Sequence, residues 1–141
     1  MVSSQHYENI RTNEIKRILP LIPKGSSILE IGAGSGWQTK ILSEHGFDMI
    51  AIDVPESIDK TKKVWPVMEY DGFLIPFPDN HFDVIFSSNV LEHISHVKLF
   101  QTEIQRVLKA TGIAIHLLPT GTWRFFTILT LRFLFHFFHE F

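Results

Sequence analysis

Apolar and polar residues along this chain switch between two rhythms, and the switches mark its elements. Tyr7, Ile10, Glu14, Ile15, Ile18 and Leu19 recur at helical spacing, and Pro20 with Pro23 ends that helix. A turn over Lys24–Ser27 leads into a first strand, Ile28–Gly32. Trp37–His45 reads as a helix stopped by Gly46, and Met49–Asp53 as a second strand. Pro55–Pro66, polar and lysine-rich around Ile58 and Val64, reads as a short helix. Val67–Tyr70 is a brief third strand ending at Asp71-Gly72. The segment Pro76–Asn80 is a turn, because proline fixes φ while Asp and Asn bond locally to the backbone. Phe82–Ser87 is a buried fourth strand. Val97–Lys109 carries Phe100, Ile104, Val107 and Leu108 on one helical face and ends before Gly112. Ile113–Leu118 is the fifth strand. Strands alternating with helices give a parallel sheet covered on both faces. The last stretch, Trp123–Phe141, reads as one helix carrying seven of the thirteen phenylalanines. Its Arg124, Arg132, His136, His139 and Glu140 share an arc of roughly 160°. It has no run of about 18 uncharged apolar residues, so it should not span a bilayer. It either packs on the sheet or lies at a membrane interface as a peripheral contact.

Composition narrows the class. A chain of 141 residues with 45% hydrophobic content is expected to form one domain, 1–141: an N-terminal helix and linker over 1–27, a core over 28–120, and the Phe-rich end over 121–141. A net charge of -2 leaves no basic footprint for nucleic acid. The absence of cysteine excludes disulfides and thiolate metal sites and fits a reducing compartment, the cytoplasm. The polar start MVSSQHYENI has no apolar h-region and does not read as a secretory signal.

The candidate chemistry lies where the first strand meets the first helix after it. In ILEIGAGSG (Ile28–Gly36) a buried strand ends in Gly32, Gly34 and Gly36 and opens a helix. Such a turn presents bare backbone N–H groups to a ligand beyond the strand's C-terminal end. Asp53, at the tip of the next strand, is placed to hold both hydroxyls of a ribose, so a nucleoside-containing ligand is expected. The spacing is Gly-x-Gly-x-Gly rather than the dinucleotide Gly-x-Gly-x-x-Gly, and Trp37 would crowd a pyrophosphate; a phosphate-binding loop ending in Gly-Lys-Ser/Thr is absent. The bland alternative is a tight turn that needs small or positive-φ residues.

Four segments in order, ILEIGAGSG, AIDVPES, EYDG and FDVIFSSNVLEHI, resemble the class I S-adenosylmethionine-dependent methyltransferases, in particular their type 11 branch. The resemblance runs from about Ile28 to Thr120. It implies a Rossmann-like α/β three-layer sandwich, mostly parallel, with about five strands in the order 3-2-1-4-5. It also implies S-adenosyl-L-methionine (SAM) as cofactor and a small molecule as methyl acceptor. On the matching positions, Gly32, Gly34 and Gly36 let the backbone approach the methionine and ribose portion, and Glu30 sits under that loop, ordering its N–H groups. Asp53 takes the ribose hydroxyls, against an alternative as a helix N-cap. Asp71 accepts from the adenine amine and Gly72 offers its N–H, against a plain Asp-Gly turn. Asn89 lines the methionine end, and Leu91-Glu92-His93 opens the next helix. His93 is the candidate general base, since imidazole ordinarily titrates near neutrality; a structural helix-start histidine is the alternative. Tyr7 and Arg11 on the first helix are placed to cover the cofactor's carboxylate. Glu92, His93 and His96, like His136 and His139, lack the spacing and third ligand of a zinc site, and no metal is expected.

Members of the family normally add an antiparallel hairpin after strand five. This sequence stops before it, so a chain truncated at the C-terminus is expected, with an open strand-five edge through which a dimer could form. Leu118–Thr127 (LPTGTWRFFT) faintly resembles a segment of bacterial methyltransferases of surface-polysaccharide synthesis, which points to a sugar or lipid-linked saccharide as acceptor. Competing readings are a non-catalytic SAM-binding fragment or remnant, an NAD-binding module, disfavoured by the glycine spacing and Asp71-Gly72, and a membrane-interaction protein that keeps the fold but has lost the site, disfavoured by the intact cofactor motifs.

Overall fold

A computed structural model describes residues 4–58, 61–119 and 126–130. The elements are α1 (Ser4–Ile18), β1 (Ser27–Ile31), α2 (Trp37–Glu44), β2 (Asp48–Asp53), β3 (Met68–Glu69), β4 (Phe82–Ser88), α3 (Val97–Val107), β5 (Leu108–Pro119) and β6 (Phe126–Thr130). They build a six-stranded sheet in the order β3-β2-β1-β4-β5-β6. The first five strands run parallel, as expected from continuous apolar runs bounded by turns, and β1 and β4 are buried almost end to end.

Strand alternation sends successive side chains to opposite faces, and each face has its own core. Leu29, Ile31, Ile85 and Ala114 meet Phe100, Ile104 and Val107 of α3 on one side. Ile28, Val84, Phe86 and Ile115 meet Ile15 and Ile18 of α1 and Leu42 of α2 on the other. The result is three layers, helix on sheet on helix. At the end of the sheet opposite the glycine turn, Asp83 accepts from the Ser27 N–H at 2.9 Å, the Ser27 hydroxyl at 2.8 Å and Lys109 Nζ at 2.8 Å. These bonds, the lysine's foremost, hold its carboxyl down at about 2 and tie β1, β4 and the start of β5 together.

Three expectations are corrected. Phe126–Thr130 is not part of a helix over Trp123–Phe141: it is a strand antiparallel to β5, with Ile115 opposite Thr130 and Pro119 opposite Phe126. The strand-five edge expected to lie open for a dimer is therefore paired, because an exposed row of N–H and C=O groups is best satisfied by the chain's next extended segment. The rest of that expected helix lies outside the described residues. Second, the described part of Pro55–Pro66 forms turns rather than a helix. Third, Leu91–His93 is a single 3-10 turn that does not open α3; His96 intervenes as its N-terminal flank. Among the described residues no helix is long and apolar enough to cross a membrane.

Candidate active site

A cleft of about 1420 Å³ opens beyond the C-terminal ends of β1, β2, β3 and β4. Its floor is the glycine turn. The N–H groups of Gly32 and Ala33 donate to Ile52 O at 2.9 and 3.3 Å, which swings the turn over the tip of β2. All three glycines have positive φ, between 57° and 79°. Their reasons differ. A Cβ on Gly32 would overlap Val90 Cγ2, and one on Gly36 would stand 2.5 Å from Trp65 Cβ, so these two are small because the protein packs against them. A Cβ on Gly34 would meet nothing within 4 Å. Gly34 presents its backbone to the open cleft, while Gly36 is not among the lining residues.

Asp53 is buried at the tip of β2, where its Oδ2 accepts the Gly34 N–H at 2.8 Å and Oδ1 accepts the Val54 N–H at 2.8 Å. Burial raises its carboxyl above the usual range, and the two N–H groups pull the other way. The N-cap alternative does not apply, since turns and not a helix follow over the described residues 54–58. The sequence reading gave the ordering of the loop to Glu30; the bond to the loop is made by Asp53. Glu30 accepts instead from the Thr39 hydroxyl, tying β1 to α2, and it does not line the cleft. Its complete burial pushes its carboxyl up to about 7, against the Thr39 bond and the charge of Arg11.

Asp71 is exposed and lines the cleft. Its Oδ1 accepts the N–H groups of Phe73 and Leu74 at 2.8 and 2.9 Å, which lowers its carboxyl below the usual range. The turn reading and the cleft reading of Asp71-Gly72 thus coexist. Tyr70, beside it, is held up at about 12 by burial and by the charges of Asp53 and Asp71, which makes its phenol a poor proton acceptor at neutral pH. Across the cleft, Asn89 is in the left-handed region at φ 55° and, with Ser88, lines the wall at the tip of β4. His93 lines the same wall from the 3-10 turn with its side chain exposed.

A family profile described as a methyltransferase domain matches residues 29–116, from β1 into β5 and across every segment that lines this cleft except α1. The chain belongs to this methyltransferase family. A 2-methyl-6-phytyl-1,4-hydroquinone methyltransferase of Synechocystis sp. is 29% identical over 105 residues, covering 69% of this chain and 33% of that protein. A ubiquinone/menaquinone biosynthesis C-methyltransferase of Paraburkholderia phytofirmans is 28% identical over 110 residues, covering 70% and 45%. The chain thus spans less than half the length of either relative. Among solved structures, a SAM-dependent methyltransferase from Aquifex aeolicus superposes with a TM-score of 0.65 at 24% identity, covering 74% of this chain and 63% of that one. Another, from Archaeoglobus fulgidus, gives 0.66 at 23%, covering 79% and 54%.

In the methyltransferase domain, Phe73 and the partners that Arg11 finds beside the cleft were not assigned from sequence. Arg11 lines it and donates from Nη1 to Ser88 Oγ at 2.6 Å and to Glu14 Oε2 at 2.9 Å. With the Asn89 carboxamide turned so that its oxygen faces the guanidinium, it accepts from Arg11 Nη2 at 2.6 Å. Phe73, half-exposed at the rim, stacks on His96 with ring centroids 4.5 Å apart, and His96 Nε2 is 3.0 Å from Gly72 O. This pairing is non-local and left no signal; Glu14 left one, as an acid on an apolar helical face.

Deeper, on β5, His116 is buried with Nδ1 2.7 Å from Ser87 Oγ. Burial lowers its imidazole from 6.5 to about 4. Glu30 and His116 pull stability in opposite directions. Between 4.5 and about 7 the folded domain keeps a proton on Glu30 that the unfolded chain gives up, so stability falls as pH rises. Between about 4 and 6.5 the unfolded chain protonates His116 and the folded domain does not, so stability rises with pH. Each amounts to something on the order of 3 kcal/mol, so the two largely cancel. Denaturant titrations from pH 4.5 to 6.5 are expected to show a shallow profile for the native chain. Glu30→Gln should rise with pH over that range and His116→Gln should fall; parallel profiles for all three would refute the assignment.

Proposed function

We propose that this domain binds S-adenosyl-L-methionine in the cleft and transfers its methyl group to a small-molecule acceptor. The observation that carries the reading is the Gly34–Asp53 arrangement: a buried carboxylate fixes a glycine whose open side faces the cleft. A protein-filled turn would need neither. The surrounding donors fit a nucleoside carrying an amino-acid end. Asp53 takes the ribose hydroxyls and Asp71-Gly72 the base, while Asn89 and Arg11 face the methionine end, where Arg11 pairs with the carboxylate.

When bound, the cofactor supplies an activated methyl with its own leaving group. The protein's share is to orient the acceptor, exclude water and take up the acceptor's proton. His93 takes that proton, standing exposed on the cleft wall with Ile94 and Val90 beside it. His93→Ala is expected to lower turnover by ~10²-fold or more with SAM affinity unchanged, read by methyl-transfer assay and calorimetry. Undiminished turnover leaves His93 a structural role.

The acceptor has a polar head and an apolar tail. The half-exposed Phe73 at the rim and the exposed Leu74 that follows it support that reading. A sugar or lipid-linked saccharide meets it, on the likeness of LPTGTWRFFT, and so do the prenylated quinols suggested by the named relatives; assays with both classes separate them. We take residues 1–141 as one domain working in the cytoplasm. Isothermal titration with SAM, its demethylated product and NAD tests the core of the proposal: micromolar binding of the first two without NAD supports it. Failure of a folded chain to bind either overturns it. Binding without turnover on any acceptor would instead favour a SAM-binding remnant.

A further inference from the structure

We propose that Glu14 is the positioning residue that aims Arg11 into the cleft and so makes the site selective for ligands carrying an amino-acid end, an inference that rests on the cofactor reading above. Glu14 sits on α1 between apolar neighbours; its side chain is 3% exposed, against 14% for Arg11. Oε2 gathers three groups from three elements: Arg11 Nη1 at 2.9 Å from α1, Gln38 Nε2 at 3.3 Å from α2, and the Ser88 hydroxyl at 3.5 Å from β4. Oε1 is buried with no hydrogen-bond partner.

Holding a helix on a sheet does not require such a residue. Ile15 and Ile18 on the same helix are fully buried and already do so. A buried carboxylate with one oxygen unmatched costs free energy that an apolar side chain of similar size would not. What it provides is a fixed guanidinium. Arg11 has a long, rotamer-rich side chain, and an ion pair made within the helix one turn on, at i and i+3, holds its planar fork against the β4 tip. With Glu14 behind it, Arg11 meets both Ser88 and Asn89 and borders the cleft where a ligand carboxylate would lie.

The test compares two ligands that share the adenosine thioether but differ in the amino-acid end: S-adenosylhomocysteine and 5′-methylthioadenosine. Calorimetry on the native chain should detect both. Glu14→Gln keeps the size of the side chain and removes its charge; it is expected to weaken S-adenosylhomocysteine about tenfold or more while leaving 5′-methylthioadenosine unchanged. Glu14→Asp, which keeps the charge but draws it away from Arg11, should show the same selective loss, and Arg11→Ala should reproduce it without a further effect of Glu14→Gln in that background. Equal weakening of both ligands would mean that Glu14 only supports the fold, and no weakening would remove it from the site; either overturns the proposal. Failure of the native chain to bind either ligand would instead overturn the cofactor reading itself.

Discussion

Gly32→Ala is expected to destabilise the domain by about 3 kcal/mol and to abolish cofactor binding. Two costs add. An alanine at φ 76° bears the left-handed penalty of roughly 1–2 kcal/mol. Its methyl would also overlap Val90 Cγ2, and relieving an overpacked contact costs roughly 1–3 kcal/mol more. The strain falls on the turn itself, because the Gly32 N–H is bonded to Ile52 O at 2.9 Å and any retreat from Val90 pulls the floor of the cleft off β2. Urea denaturation and calorimetry read the two effects. Adding Val90→Ala should return the packing share and leave the backbone share. A single variant of native stability would show that the turn yields more easily than its geometry implies.

Asp53→Asn is expected to weaken SAM by roughly 2–3 kcal/mol, about 30- to 150-fold, while costing the fold much less. The asymmetry follows from the burial of Asp53. Desolvation opposes its charge more than the two N–H groups favour it, so the ionised carboxylate brings the fold no net stability. In the site it is irreplaceable by an amide. Both oxygens serve N–H donors, Gly34 and Val54, and an asparagine would turn its NH₂ against one of them, freeing the glycine turn just where the ribose is to be held. Calorimetry with SAM checks the affinity and chemical denaturation the stability. Unchanged affinity would remove Asp53 from the site.

The parallel core was legible because a doubly covered sheet writes itself as short apolar runs between turns, and the order 3-2-1-4-5 follows once the family resemblance is seen. What escaped depended on partners far along the chain. Phe126–Thr130 contains Thr127, Ile128 and Thr130, β-branched residues suited to a strand, yet its surroundings also fit a helical wheel. The choice falls to the free edge of β5, which no local window contains. In the site, Asp53, Asp71, Asn89 and His93 were found as motif positions, and all four line the cleft. The division of labour between Glu30 and Asp53 was not legible, because which carboxylate reaches the loop depends on sheet register rather than on spacing. Glu14 was visible only as an anomaly, a charge at a buried helical position.

The support behind the Asp71–Phe73 wall of the cleft has almost no slack. α3 ends at Val107 and β5 begins at Leu108, with no connecting residue between them. From α3, Arg106 donates to the carbonyls of Ile75 and Phe77 at 2.8 and 2.7 Å, and Glu103 accepts the Ile75 N–H at 2.9 Å. The segment that follows Asp71-Gly72 is thus bolted to a helix that is itself continuous with the sheet. A wall built this way is ordered before any ligand arrives. Little conformational entropy remains there to be lost on association, so contacts made along that side count toward affinity almost undiminished by the cost of ordering.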